Sequence, residues 1–288
     1  RQFLAVMAMG FAWSAAAQSN WPQFRGAESR GVGTSDRLPL VWGPETNVAW
    51  RAEVPGRGWS SPIVWGKRVF LTTAVSEGEL EAPKKGLYFG GDRPEPPKQR
   101  QRWMALCLDR DSGKTLWSTE LHGAIPSTPI HLKNSYASET PVTDGKHLIV
   151  SFGSFGIFCF DLNGKPLWER QLGRLTTRRG YGEAVTPVLH QGRLLINWDQ
   201  EWDSALYCLD AKTGETKWKA DRDEITTWTT PFVTEFNGKT QVILNGTRSV
   251  RSHDLETGRV IWSCAGMTEN AIPAALRYQD AAIILSGY

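Results

Sequence analysis

The sequence has no block of clustered Lys and Arg, and its net charge is only +3 over 288 residues. Phosphate backbones are bound by concentrated basic patches, so nucleic acid is not an expected partner. Neither Gly-x-Ser-x-Gly nor Gly-x-x-x-x-Gly-Lys-Ser/Thr occurs, so a nucleophile elbow and a phosphate loop have no support. The five histidines, His122, His131, His147, His190 and His253, fall at no spacing that suits zinc. No segment sustains a 3.6-residue apolar period, which excludes helical repeats. Cysteine is scarce, at four residues, and no two of them are adjacent.

Long apolar runs are also missing. The longest, Phe3 to Trp13, is too short to span a bilayer comfortably. It follows Arg1 and precedes Ser14-Ala15-Ala16-Ala17. A basic start, a short apolar core and small residues read as a signal peptide over residues 1–17, cut after Ala17. The expected location is periplasmic or secreted, with no membrane span in the mature chain. No cysteine lies near the cut, so a lipid anchor is not expected.

Tryptophan, by contrast, is abundant, at 14 residues. Four of these close a repeated stretch. The copies are Asp109–Gly113–Trp117, Asp161–Gly164–Trp168, Asp210–Gly214–Trp218 and Asp254–Gly258–Trp262. The second copy is one residue shorter than the others. An Asp that caps turn amides, a Gly for positive φ and a large flat ring describe strand, tight turn, strand. Cys107, Cys159, Cys208 and Ser252 each stand two residues before the repeat aspartate, so that place wants a small side chain. Equivalent places in successive repeats lie too far apart for a disulfide, and structural thiols are expected. Cys264 has no evident partner.

A second repeat begins on proline, at Pro62, Pro141, Pro187, Pro231 and Pro273, in steps of 79, 46, 44 and 42 residues. Each copy reads as a hairpin with proline at the strand start, where no ladder donor is needed. One unit is therefore four strands, A to D. An all-β repeat with a period in the forties is a β-propeller blade. Residues 47–288 then hold four full blades and part of a fifth, within a longer expected chain. Asn47 to Trp50 reads as a short strand that ends a repeat. Residues 18–46, rich in Gly and Pro, read as an extended arm laid across the surface. The long first step holds an inserted loop, residues 76–102, between strands B and C. B–C loops and D–A connectors share one face of a propeller, so the insertion should overhang that face.

The Asp-x-x-x-Gly-x-x-x-Trp turns resemble the pyrroloquinoline quinone (PQQ) repeat of the quinoprotein alcohol dehydrogenase-like propellers, from about Trp50 to Tyr288. The resemblance implies eight blades in the complete protein, with tryptophans docked between them. It implies two kinds of function. One is a PQQ- and Ca²⁺-dependent dehydrogenase of alcohols or sugars. The other is a noncatalytic binding or scaffold module, as in the outer-membrane assembly factor BamB. The adjacent cysteine pair typical of the alcohol dehydrogenases is absent, and no Glu/Asn/Asp calcium set is placed. The favoured expectation is an exported noncatalytic module with no catalytic residue, no metal and no cofactor, PQQ and Ca²⁺ being the alternative. Its partner would be a protein or small molecule at the loop-bearing face.

The residues just before each strand A should ring the mouth of the channel. They are Trp59, Ser138-Glu139, Glu183-Ala184, Thr227-Trp228 and Glu269-Asn270. Two readings stand, a ligand or peptide site built from Trp59, Glu139, Glu183, Trp228, Glu269 and Asn270, or blade caps in contact with water. Arg178-Arg179 reads as a solvated loop. Trp198-Asp199-Gln-Glu201-Trp202-Asp203 has the oxygens of half a calcium loop but reads better as an acidic, aromatic contact surface. Asn245-Gly-Thr247 fits a glycosylation sequon.

Overall fold

The structure is a computed structural model that describes residues 20–33, 38–79, 81–82 and 95–287. The signal-peptide reading of residues 1–17 and the middle of the insertion lie outside the described residues. Four antiparallel four-stranded sheets follow one another along the chain, and a two-stranded sheet comes last. Blade 1 contains β1 (Ile63–Trp65), β2 (Arg68–Ser76), β3 (Gln101–Asp109) and β4 (Thr115–Ala124). Blade 2 contains β5 (Val142–Thr143), β6 (Leu148–Ser151), β7 (Ile157–Phe160) and β8 (Pro166–Arg170). Blade 3 contains β9 (Val188–His190), β10 (Arg193–Trp198), β11 (Ala205–Asp210) and β12 (Thr216–Asp221). Blade 4 contains β13 (Phe232–Phe236), β14 (Lys239–Leu244), β15 (Ser249–Asp254) and β16 (Val260–Ala265). Blade 5 begins with β17 (Leu276–Tyr278) and β18 (Ala281–Ile283). This is the β-propeller architecture, read blade by blade from the proline and aspartate repeats.

The core lies between blades. Ile63, Phe70, Trp103 and Cys107 of blade 1 pack against Leu148, Val150, Phe158 and Phe160 of blade 2. Similar layers join blades 2 and 3, 3 and 4, and 4 and 5. Each layer takes in one closing tryptophan, namely Trp117, Trp168, Trp218 and Trp262.

The docking geometry explains the repeat. The glycines sit at φ +73 (Gly113), +86 (Gly164), +74 (Gly214) and +72 (Gly258). The Asp210 carboxylate accepts from the amides of Lys212 (2.8 Å) and Thr213 (3.2 Å), and Asp109, Asp161 and Asp254 hold their turns alike. All four carboxyls lie below the ordinary aspartate range: the hydroxyl of Ser112 or Thr257 is the largest cause for Asp109 and Asp254, the Lys165 amide for Asp161, and for Asp210 the Lys217 ammonium and the turn amides outweigh the opposing effect of burial. Each glycine carries the ring of the tryptophan from the preceding blade. A Cβ on Gly214 would lie 2.7 Å from the Trp168 ring, and one on Gly258 2.6 Å from Trp218. The indole N–H then donates to a turn carbonyl, Trp168 to Ala211 at 3.0 Å and Trp218 to Leu255 at 2.9 Å. In the shortened copy the bond from Trp117 to Leu162 lengthens to 3.3 Å. Trp50 docks in the same way on Gly113, donating to Arg110 at 2.7 Å. Residues 47–50 nevertheless form no strand, because they have no neighbouring ladder among the described residues.

The small residue before each aspartate has a clear cause. Cys107, Cys159, Cys208 and Ser252 lie directly opposite Trp117, Trp168, Trp218 and Trp262 across the C–D pair. A bulge follows each of them. All four cysteines are free thiols, three buried and Cys264 exposed. Burial pushes the Cys107 thiol up to about 11 and those of Cys159 and Cys208 to about 12, which makes them inert.

The arm departs from expectation. Residues 21–23 do not lie across the surface but run along the free edges of β1, β5 and β9. Trp21 bridges Val64 of β1, Thr143 of β5 donates to the Pro22 carbonyl, and Leu189 of β9 donates to Gln23. Gln23 and Ser29 are buried there. The edge amides of three blades are unpaired within their own sheets, and the arm satisfies them.

Candidate functional site

Strand A of each of the four full blades is entered through a Ser/Thr-Pro pair, and in blades 2 and 3 the hydroxyl before the proline ties the blade to the one before it. Ser61 N donates to Thr140 Oγ1 at 3.0 Å, and Thr140 N donates to Thr186 Oγ1 at 3.1 Å. This stitching fixes the residues just upstream, which form the mouth.

The predicted ring separates into two groups. Glu139, Glu183 and Trp228 converge on one small cavity, together with Asn197, Asp199 and Thr227. Trp59, Glu269 and Asn270 stay outside it. Trp59 is half exposed, with its indole N–H on the Lys133 carbonyl at 2.9 Å. Glu269 is exposed and pairs with Arg178 Nη1 at 2.5 Å, so Arg178 is tied down rather than freely solvated. Asn270 is half-buried, at φ +59. Trp228 is also half-buried, donating from Nε1 to the Gly182 carbonyl at 2.9 Å.

The two converging acids differ in support. Glu139 is buried, and desolvation raises its carboxyl to about 8, with the Glu183 charge adding to the rise. The Glu183 carboxylate rests in a cradle formed by Gly153 and Ser154. It accepts from Ser154 N at 2.6 Å and from Ser154 Oγ at 2.5 Å. A Cβ on Gly153 would fall 1.4 Å from Glu183 Oε2, so only glycine fits. Burial still lifts Glu183 to about 7, against the pull of those bonds. The pair opens onto cavities of about 10 and 20 Å³. Each has room for about one water, far below the few hundred Å³ of a ligand pocket.

Neighbouring acids do similar work. Asp199 and Arg222 form a fully buried, two-pronged ion pair, at 2.8 and 3.2 Å. Thr227 Oγ1 adds a bond to Asp199 at 2.7 Å. Glu224 accepts from Thr247 N (2.6 Å), Thr247 Oγ1 (2.8 Å) and Arg248 N (2.9 Å). Glu201 takes the Thr226 hydroxyl at 2.6 Å. In each case an acid and a loop from different parts of the mouth hold one another. The expected acidic, aromatic surface over residues 198–203 is thereby corrected in part: Trp198 and Asp199 are buried, Asp199 and Glu201 are held by separate protein donors, and Trp202 is the aromatic ring left exposed. The sequon is corrected too. Asn245 is buried, with its amide on the Pro273 and Leu285 carbonyls, out of reach of a glycan.

Residues missed in the sequence include Asn197 and Arg222, while Asp199 was read as part of a contact surface and Thr227 as part of the mouth ring. A signal existed for the first. Thr72, Ser151, Asn197 and Asn245 occupy the same place at the end of strand B, as the registers of the four hairpins show. A polar residue recurring there marks the mouth. Arg222 carries no such signal.

What the mouth presents outward is apolar. Trp202, in the blade 3 B–C loop, is 77% exposed, and Ile125 and Ile272 in D–A connectors are 60% exposed each. The described base of the insertion packs against the connector that leads into blade 2. Glu79, Glu95 and Pro96 face Ile130 and Leu132 across a cleft of about 270 Å³.

A family model described as "Outer membrane protein assembly factor BamB" matches residues 104–280, more than half of the chain. The chain belongs to this BamB family. BamB of Burkholderia pseudomallei (strain K96243) is 24% identical over 225 residues, 67% of this chain and 55% of the relative. The chain thus spans about half the length of that relative. Among solved structures, the quinohemoprotein alcohol dehydrogenase of Comamonas testosteroni is similar over 93% of this chain and 45% of its own, at 13% identity and TM-score 0.54. BamB from Moraxella catarrhalis matches over 64% and 50%, at 18% identity and TM-score 0.40. The dehydrogenase likeness concerns the fold alone. Among the described residues no helix is long and apolar enough to cross a membrane.

Proposed function

We propose that this protein is an exported binding module that engages a protein partner through the loop-bearing face of the propeller. In keeping with its BamB relative, that partner would belong to outer membrane protein assembly. One observation carries the reading. The mouth acids are packed into water-sized cavities, while Trp59, Trp202, Ile125 and Ile272 are turned outward on the same face. Exposed aromatic anchors backed by acids that protein donors hold are the make-up of an interface. The insertion base, with Glu79 and Glu95, would add an acidic lip.

PQQ with Ca²⁺ would need open oxygen ligands and room for a planar ring. The oxygens of Glu183, Asp199 and Asn197 are held by protein donors instead. As arranged, the described residues do not fit that group. The test has two arms. Full-length protein is given PQQ and Ca²⁺, and its absorbance and dye-linked alcohol oxidation are recorded. A bound chromophore with turnover would overturn the reading. Partner capture is then compared between wild type and a variant lacking residues 76–102, with an unchanged partner set counting against the insertion.

A further inference from the structure

The A strands offer an equivalent edge residue in each full blade, two positions after the opening proline: Val64, Thr143, Leu189 and Val233. Each sits opposite its strand B partner in a pair whose N–H and C=O point away from the ladder (Val64↔Val69, Thr143↔Leu148, Leu189↔Leu194, Val233↔Val242). The arm meets the first three in order. Trp21 N donates to Val64 O at 2.8 Å and Val64 N to Trp21 O at 2.9 Å. Thr143 N donates to Pro22 O at 2.9 Å, and Leu189 N donates to Gln23 Oε1 at 3.2 Å.

At blade 4 the arm forms no main-chain bond to the strand edge, and its short turn at Ala27–Ser29 packs beside β13 instead. Arg25, Glu28 and Ser29 adopt φ +63, +53 and +53, left-handed values that non-glycine residues take at a cost. The turn leaves a cavity of about 270 Å³ walled by Gln23, Ser29, His190, Val233, Glu235 and Arg277. Among the described residues the Val233 amide has no acceptor. His190 Nε2 is buried and has no hydrogen-bond partner. β13 is also longer than β1, β5 and β9, so Glu235 repeats the outward pattern of Val233.

We propose that this cavity binds a short extended peptide, which adds to the edge of β13 as Trp21 adds to β1. Alternating donors and acceptors at strand spacing match a peptide main chain. One peptide residue would accept from Val233 N–H and donate to Val233 C=O, the same two-way bridge that Trp21 forms. This is β-augmentation, with main-chain bonds supplying affinity. Glu235 and Arg277 at the rim suit the opposite charges of a free peptide's two ends. The site is separate from the mouth, since none of the residues walling it lines the cavities of Glu139 and Glu183.

The test uses ¹⁵N-labelled full-length protein and the tripeptide Ala-Val-Ala. Without peptide, the Val233 amide should exchange with solvent at least about tenfold faster than those of Val64, Thr143 and Leu189. Saturating peptide should shift the Val233 resonance and slow its exchange by about tenfold. Val233→Pro removes only an edge N–H that the ladder does not use, and should abolish the response, while Val233→Ala should keep it. Should the proline variant unfold, the wild-type exchange comparison decides alone. A Val233 amide already protected in the free monomer would overturn the proposal. So would no shift at millimolar peptide, or Val233 protection that appears only on self-association.

Discussion

The two ends of the blades are built on different terms. At the end with the C–D turns, one geometry recurs with little change. Asp109, Asp161, Asp210 and Asp254 cap the turns, and the φ values of Gly113, Gly214 and Gly258 agree within two degrees. At the mouth, no two blades close alike. Blade 1 presents Trp59 outward, Glu183 enters a glycine cradle in blade 2, and Asp199 pairs with Arg222 in blade 3. The uniform end uses local hydrogen bonds within a few residues, so it is copied with the repeat. The mouth uses contacts between residues far apart in the chain, from Asp199 and Arg222 to Arg178 and Glu269, which vary from blade to blade and leave room for function.

Breaking the mouth at its most buried point should have the largest effect. Arg222→Ala leaves Asp199 charged and unpaired in a dry site, and should cost about 3–5 kcal/mol. Urea unfolding checks this, and the double variant Arg222→Met with Asp199→Leu should recover much of the loss. At the turn end, Gly214→Ala forces an alanine to φ +74 and puts its Cβ 2.7 Å from Trp168. The expected cost is about 2–4 kcal/mol, read from the same midpoint shift. If the ends differ as described, Gly192→Ala should cost less, because open space surrounds that glycine despite its φ of +73.

How much of this was legible follows the same division. The strand order, the turns and the inter-blade docking could be read because Asp, Gly and Trp lie nine residues apart or fewer, and their chemistry is local. Cysteine as a small residue was legible from its recurrence, although its cause, the tryptophan across the strand pair, needed the register. The mouth was read only as a ring of candidates. Position before Thr-Pro places a residue at the mouth but not its side chain inward or outward. Trp59 and Glu139 share that placement and end on opposite sides of the surface. The arm was misread because Gly and Pro mark irregular backbone equally well on a surface or along an open strand edge. Asp199 and Arg222 are 23 residues apart, with nothing in either sequence context to link them.

A smaller effect separates the ends by pH. Glu139 and Glu183, at about 8 and about 7, keep protons in the folded state that the unfolded chain releases near the ordinary 4.5. Their contribution is fully present below about pH 4.5 and is lost as pH rises through 7 and 8. His253, lowered to about 4 from 6.5 mainly by burial, acts in the opposite sense and only below about pH 6.5. The urea midpoint should therefore fall as pH rises from about 4.5 to about 8, most steeply above about 6.5 where His253 no longer offsets it, and Glu139→Gln should flatten that fall. The turn aspartates, lowered below 3.8, should contribute only in stronger acid. The smallest stability effect belongs to Trp202→Ala, within about 0.5 kcal/mol for so exposed a side chain, yet this variant should lose partner binding.

The division of labour is tested most directly by photo-crosslinking in living cells, with a photoreactive residue placed in turn at positions 59, 202 and 212. Positions 59 and 202 lie at the mouth, and 212 lies in a docking turn. The account predicts adducts to a partner polypeptide from 59 and 202 and none from 212. Equal adducts from all three positions, or none from the mouth, would contradict it.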